Sequence, residues 1–396
     1  MKFVIFIIIV IFVLLLGIIA FLVVSKNPKQ TCPDCPKQTC PDCPKSTDIN
    51  KFSIVNNNCV IDNINGKYTS QQCLDIVKQF KENYTHSLYK DWSGKDLKPS
   101  KTNNDWSYFI GTDPTNGVVR YGAHEELISF NSDDSIEIRM GSKPLTDFYG
   151  FRDSIRLQSI NLFSHGVFIL SVDHIPEGLT VWPAFWLLGI GSTWPCAGEI
   201  DILEGVNSIN TETSYNQSTL HTNNSCDQSS VDGILGETKN CNAAASDKKT
   251  WSSCGCSSTE LCATLGCGKI WGPNTFGYSF NRKTPQGGVF ACELTKDGQV
   301  TMWFFEKNNL PFNVSDTNID VRKWNNPVVK YNVCKDAFKN LQIIINTTLC
   351  GDWAGSKYDD GKNKGNDFCI GAVRDPNYTM TEAYWKINWL KVFLEP

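Results

Sequence analysis

Residues 198–205 read Gly-Glu-Ile-Asp-Ile-Leu-Glu-Gly, three carboxylates separated by aliphatic side chains. On a regular strand successive side chains alternate faces, so Glu199 and Asp201 share one face while Ile200 and Ile202 enter the opposite layer. Glu204 would then point the wrong way. One extra residue, a β-bulge near Ile202–Leu203, returns it to the face of the other two. Like charges set side by side are destabilising, so stability alone would not select that convergence. Acid–base chemistry would. Two carboxyl groups about 5–5.5 Å apart can cleave a glycosidic bond with retention, one attacking the anomeric carbon and the other protonating the departing oxygen. Their closeness raises one pKa and keeps that group protonated near neutrality. On spacing alone, a calcium site or a solvated acidic edge competes equally with this reading.

The elements that must hold this face are short apolar or alternating runs broken by Gly, Pro, Asn and Asp. They include 135–140, 154–160, 166–172, 199–203, 289–294, 300–306 and 341–347. Many short strands at such spacing predict an all-β sandwich or barrel of about 310 residues rather than alternating βαβ units. No Gly-rich phosphate loop opens a helix. A net charge of −4 leaves no electrostatic footprint for nucleic acid. Twelve tryptophans suit a β-rich fold or a flat ligand surface. Trp182 and Trp186 are four apart and share a strand face, and Trp194 precedes Glu199 by five residues. Flat rings stack on pyranose faces, although any one Trp is better explained by core packing.

Ahead of the β-rich region, residues 3–24 carry no charged side chain. As a helix they would be about 33 Å long, enough to span a bilayer. No small-residue cleavage site follows, so the run reads as a retained signal-anchor over 1–26. Residues 27–46 hold KQTCPDCP twice, with Cys32, Cys35, Cys40 and Cys43 in two C-x-x-C pairs. Proline makes this a stiff stalk whose cysteines can cross-link chains, with zinc as the competing occupant. Residues 47–84 read as a linker with one helix over 70–84, where Leu74, Val77, Phe80 and Tyr84 form an apolar stripe. The domain proper runs from 85 to 396. Seventeen cysteines argue for an oxidising compartment. Sequons at Asn83, Asn216, Asn223, Asn313, Asn346 and Asn377 agree with an exported, glycosylated ectodomain. Cys226, Cys241, Cys254, Cys256, Cys262 and Cys267 predict a large loop held by two or three disulfides, of unreadable connectivity.

The acidic stretch resembles the signature of glycoside hydrolase family 16, E-[aliphatic]-D-x-x-E, in its bulged form. Around it stand Thr180-Val181-Trp182-Pro183-Ala184-Phe185-Trp186, Trp194-Pro195, Gly205-Val206-Asn207 and Thr219-Leu220-His221-Thr222. Asp113-Pro114-Thr115-Asn116-Gly117, Arg152–Ile155, Cys350–Gly355 and Ala383–Asn388 add further matches in order. The succession is similar to fungal-type laminarinases and endo-β-1,3(4)-glucanases from near Tyr89 to Phe393. The resemblance implies a concanavalin-like β-jelly-roll sandwich whose concave sheet carries an open sugar cleft. It implies Glu199 as nucleophile, Asp201 as its assistant and Glu204 as acid/base. It further implies that Trp186 and Trp194 line the cleft, with Trp353 at the other flank and Trp182 beside them. His221 then hydrogen-bonds the acid/base or the sugar, and Asn207 and Arg152 are further substrate contacts. Arg120-Tyr121 departs from the Asn-Tyr that family members often carry. No cofactor is required; a structural calcium occurs in some relatives and is assigned to no residue here. The implied partner is β-glucan, cut by a membrane-anchored ectodomain at a cell surface, in a lumen or on a viral envelope. A transglycosylase on the same scaffold and a lectin-like attachment protein are the alternatives.

Overall fold

Runs rich in Val, Ile, Phe and Trp with period-two burial form strands, because each strand can bury one face and solvate or pack the other. The computed structural model describes residues 52–55, 58–61, 64–69 and 85–395, apart from 103, 147–148, 209–214, 223–225, 236–240, 242–265 and 285. The expected membrane span, the stalk, the helix over 70–84 and much of the cysteine-rich loop lie outside the described residues. Among the described residues, no helix is long and apolar enough to cross a membrane.

The chain divides into units of residues 1–83 and 84–396. In the first, Phe52–Val55, Asn58–Ile61 and Ile64–Thr69 form a three-stranded antiparallel sheet. The segment expected as a linker thus contains paired strands, because a short meander closes its hydrogen bonds locally.

The second unit is an all-β sandwich of two antiparallel sheets. Its principal strands are β1 (His86–Ser93), β2 (Arg156–Phe163), β3 (Gly166–His174), β4 (Val181–Gly189) and β5 (Glu199–Glu204). They are followed by β6 (Gln217–His221), β7 (Gly288–Leu294), β8 (Val300–Glu306), β9 (Leu341–Leu349) and β10 (Tyr384–Leu394). The first sheet contains the order β6-β5-β4-β9-β2, extended at its edges by Cys267–Ile270 and Trp106–Tyr108. The second contains β1-β10-β3-β7-β8. Helices α1 (Gly277–Lys283) and α2 (Asn366–Arg374) are short. The expected run 300–306 coincides with β8. The run 154–160 divides instead between Arg152–Ser154, which pairs in parallel with Val119–Tyr121, and β2.

Between the sheets, Phe185 and Leu187 of β4, Ile200 of β5 and Ile343 and Ile345 of β9 meet Phe168, Leu170, Phe290 and Ile387. Each large side chain so buried contributes about 1.5–3 kcal/mol from removal of apolar surface. The outer face of the second sheet is sealed as well. Val167, Ile169, Ala291 and Trp303 pack there against Ile319, Val321 and Trp324. Alternate residues of β4 and β9 on the first sheet therefore supply the face that remains for a site.

Disulfides join Cys241 to Cys267, Cys226 to Cys334 and Cys350 to Cys369. The expected loop is bridged internally by the first, whereas Cys226 leaves it for a cysteine 108 residues away. Among the described residues the free thiol is Cys292, buried in β7.

Two sequons are buried. Asn216 has no exposed surface and Asn346 keeps 8%, while Asn313 and Asn377 are exposed. Expressed in a host that glycosylates secreted proteins, the folded domain is expected to carry glycan at Asn313 and Asn377 and none at Asn216 or Asn346. Glycopeptide mass spectrometry reads this directly, and occupancy at Asn216 in active protein would contradict the placement.

Candidate active site

β4 and β5 pair with Ala184 opposite Glu204, Phe185 opposite Leu203, Trp186 opposite Asp201 and Leu188 opposite Glu199. Ile202 has no partner on β4, so it is the inserted residue of a bulge. Ile202 and Leu203 are both fully buried in the inter-sheet core. Two consecutive apolar side chains thus turn inward, and Glu204 emerges on the face of Glu199 and Asp201.

Each outer carboxylate is held by an indole N–H. Trp194 Nε1 donates to Glu199 Oε2 at 3.0 Å, and Trp182 Nε1 donates to Glu204 Oε1 at 2.8 Å. β6 places His221 directly across from Glu199. Its Nε2 lies 3.3 Å from Asp201 Oδ2 and 3.9 Å from Glu199 Oε1. One ligand atom from each of Glu199, Asp201 and His221 falls within 4.8 Å of the others, a spacing a cation could bridge.

Further along this face, Trp186 Nε1 donates to Asn346 Oδ1 at 2.8 Å, and Asn346 Nδ2 donates to Tyr121 Oη at 3.0 Å. The Arg156 guanidinium lies 4.9 Å from the Trp186 ring and 4.7 Å from the Phe109 ring. Its Nε is buried and makes no hydrogen bond among the described residues. Trp353 sits in a single π-turn, Gly351–Gly355, edge-on to Trp182 at 5.7 Å. That turn is fixed on three sides. Asn207 Nδ2 donates to the Ala354 carbonyl at 2.9 Å, Asn116 Nδ2 donates to Asp352 Oδ1 at 2.9 Å, and Cys350 is bridged to Cys369. Asp113 accepts from Thr115, Gly117 and Thr348, tying the Asp-Pro-Thr turn to β9.

Burial dominates the electrostatics. It pushes the Glu199 carboxyl up to about 8, the Asp201 charge pushes the same way, and His221, the Trp194 N–H and Arg156 oppose it. Burial likewise raises Asp201 to about 8. Glu204 is raised well above the carboxylate range, by burial first and then by the Asp201 charge.

Glu199, Asp201, Glu204, Trp182, Trp186, Trp194 and His221 are thus brought together, with Trp353 adjoining through Trp182. Asn207 acts on this face through the turn it holds. Arg152 is elsewhere: it has no exposed surface, and its guanidinium donates to the carbonyls of Val373, Asp375, Tyr378 and Ser142. The substrate contact expected of Arg152 is therefore corrected, because a fully buried guanidinium that gives four of its five N–H donors to backbone carbonyls is out of reach of a sugar. Arg156, one turn of pleat onward, occupies the acidic face instead. The expectation missed it because nothing local in Arg-Leu-Gln-Ser announces two aromatic rings from distant segments. Arg120, the departure noted above, donates from Nε to Asp153 Oδ1 at 2.8 Å.

A family model described as the XgeA-like catalytic GH16 domain matches residues 106–393. The chain is 30% identical over 342 residues to a probable endo-1,3(4)-beta-glucanase of Aspergillus fumigatus, covering 82% of this chain and 48% of that protein. It is 34% identical over 324 residues to a probable glycosidase of Schizosaccharomyces pombe, covering 78% and 69%. The chain spans about half the length of most curated relatives it matches. Among solved structures it is similar to an elongating GH family 16 beta-1,3-glucosyltransferase, with TM-score 0.63 and 32% identity over 78% of this chain and 99% of that one. It is also similar to Laminarinase 16A from Phanerochaete chrysosporium, solved with beta-glucans in donor and acceptor sites, with TM-score 0.63, 28% identity and the same coverage.

Crowding acids on one buried face destabilises the fold in a pH-dependent way. A carboxyl whose folded pKa is raised binds its proton more tightly folded than unfolded, so its contribution is full below the ordinary carboxyl pKa and is lost as pH rises toward about 8. Glu199→Gln removes that loss. The variant is expected to match the parent near pH 5 and to exceed it by about 1–2 kcal/mol at pH 8. Thermal unfolding midpoints at the two pH values measure the difference, and a variant less stable than the parent at pH 8 would contradict it.

Proposed function

Because this chain belongs to glycoside hydrolase family 16, we propose that it is a retaining endo-β-glucanase acting on β-1,3- or mixed β-1,3/1,4-glucan. The observation that carries the reading is the bulge at Ile202, which sets Glu204 on the face of Glu199 with Asp201 between them. Glu199 is the nucleophile: His221, the Trp194 N–H and the Arg156 cation favour its ionised form against burial. Glu204 is the acid/base, its carboxyl kept protonated by burial and by the neighbouring charges.

In the first step the Glu199 carboxylate attacks the anomeric carbon, the glycosidic C–O bond breaks, and Glu204 gives its proton to the departing oxygen. Glu199 becomes an ester and loses its charge, which lowers the pKa of Glu204. Glu204 then takes a proton from the incoming water, whose oxygen attacks the same carbon and releases Glu199. Asp201, in reach of His221, tunes the proton and charge of the nucleophile. The partly exposed rings of Trp182, Trp186, Trp194 and Trp353 offer stacking surfaces for successive sugars. Arg156 supplies a donor beside Trp186.

Similarity to an elongating glucosyltransferase supports a second outcome, in which a glucan hydroxyl rather than water intercepts the ester. The two differ only in what fills the acceptor side. The apolar length of residues 3–24 supports display of the domain from a membrane on the Pro/Cys stalk, with the site outside or in a lumen.

Glu199→Gln is expected to lower turnover of laminarin by at least about a thousandfold while leaving glucan affinity nearly unchanged. Proton NMR of early wild-type products should show the β anomer first. Chain-length analysis on a laminarin oligomer separates shortening from elongation. Wild-type turnover by the Gln variant would refute the reading.

A further inference from the structure

The ladder between β5 and β6 runs from Glu199 opposite His221 to Asp201 opposite Thr219, and there it stops. Regular continuation would have brought Glu204 opposite Asn216, but the inserted residue breaks the register. The carbonyl of Ile202 and the N–H of Glu204 thereby lose their strand partners. Ile202 is fully buried. Backbone groups stranded in such a place cost about 1–3 kcal/mol each if left unpaired.

Asn216 takes both. Its Oδ1 accepts from the Glu204 N–H at 2.8 Å, and its Nδ2 donates to the Ile202 carbonyl at 2.9 Å. The two partners demand opposite roles, so the orientation of the amide is determined. The Asn216 main chain is held in turn. Its N–H donates to Thr275 Oγ1 at 3.2 Å, its carbonyl accepts from the Trp271 N–H at 2.8 Å, and Thr275 Oγ1 donates to the Gly272 carbonyl at 2.7 Å. The side chain splints the bulge from the segment leading into β6, three residues from Thr219, where the ladder ended.

From this geometry we infer that Asn216 is the positioning residue for Glu204. It fixes the backbone amide of the residue that bears the acid/base carboxyl, whereas Glu199 is fixed by its own pairing with His221 and Leu188. The inference rests on reading Glu204 as proton donor. Loss of the splint therefore weakens proton delivery and leaves nucleophilic attack intact.

The test compares two substrates. A laminarin oligomer needs its leaving oxygen protonated, whereas a dinitrophenyl β-laminaribioside leaves with little acid assistance, and kcat/KM reports formation of the covalent intermediate on each. Asn216→Ala is expected to lower kcat/KM on the oligomer by about 10–100-fold and to remain within about threefold of wild type on the aryl glycoside. Thr275→Val, which removes the hydroxyl behind Asn216, should show the same selectivity at about two- to fivefold. It decides the matter if the Asn216 variant does not fold. Glu204→Ala, run alongside, should show the largest selective loss. Equal losses on both substrates, or none, in a folded Asn216 or Thr275 variant while Glu204→Ala remains selective would overturn the inference alone. Absence of selectivity in Glu204→Ala would overturn the assignment of Glu204 and the inference with it.

Discussion

An antiparallel pair that gains one residue on one strand must do two things at that point: turn consecutive side chains to the same side and strand a pair of backbone hydrogen bonds. β5 does both at Ile202. Ile202 and Leu203 drop together into the apolar layer between the sheets, where the space they fill is lined by Phe185 and its neighbours. Were either residue polar, the inward turn would bury an unpaired group and the strand would revert to regular pairing, leaving Glu204 on the wrong face. The acidic site is therefore anchored by hydrophobic burial on the side opposite to its chemistry.

What surrounds the bulge follows from the charges it assembles. Three acids on one half-buried face are tolerable because each has its own compensating group: an indole N–H on Glu199, another on Glu204, and an imidazole beside Asp201. The tryptophans are consequently donors as well as flat surfaces, and their polar edges are spent on protein while their rings stay partly open. Arg156, pressed between Phe109 and Trp186 and largely buried, adds a cation that favours the ionised acids.

Much of this was legible in the sequence. Alternation alone located most strands, and the spacing of Glu199, Asp201 and Glu204 required the bulge near the residues where it occurs. Directions were not legible. Trp182 could be placed on a face, but that its Nε1 meets Glu204 depends on a rotamer that packing decides. Arg152 and Arg156 could not be told apart, because the break between Arg152–Ser154 and β2 sends one guanidinium toward the end of α2 and the other over the acidic face. Cys226 and Cys334 pair across 108 residues, a distance at which spacing carries no information. Asn216 was hidden more thoroughly, since Asn-Gln-Ser reads as an acceptor for glycan.

That disguise sets a kinetic condition on the making of the molecule. Asn216 immediately precedes β6 and Asn346 lies in β9, both interior strands of the first sheet, and both side chains end in the hydrogen-bond networks that brace the site. In any compartment with an oligosaccharyltransferase, each presents an intact acceptor triplet for as long as the chain is unfolded. A glycan attached during that interval could not be accommodated by the closed sheet, so every such event would remove one molecule from the productive pool for good. The yield of active protein there becomes a race between strand pairing and modification, with the outcome set by how soon after synthesis these two asparagines disappear from solvent.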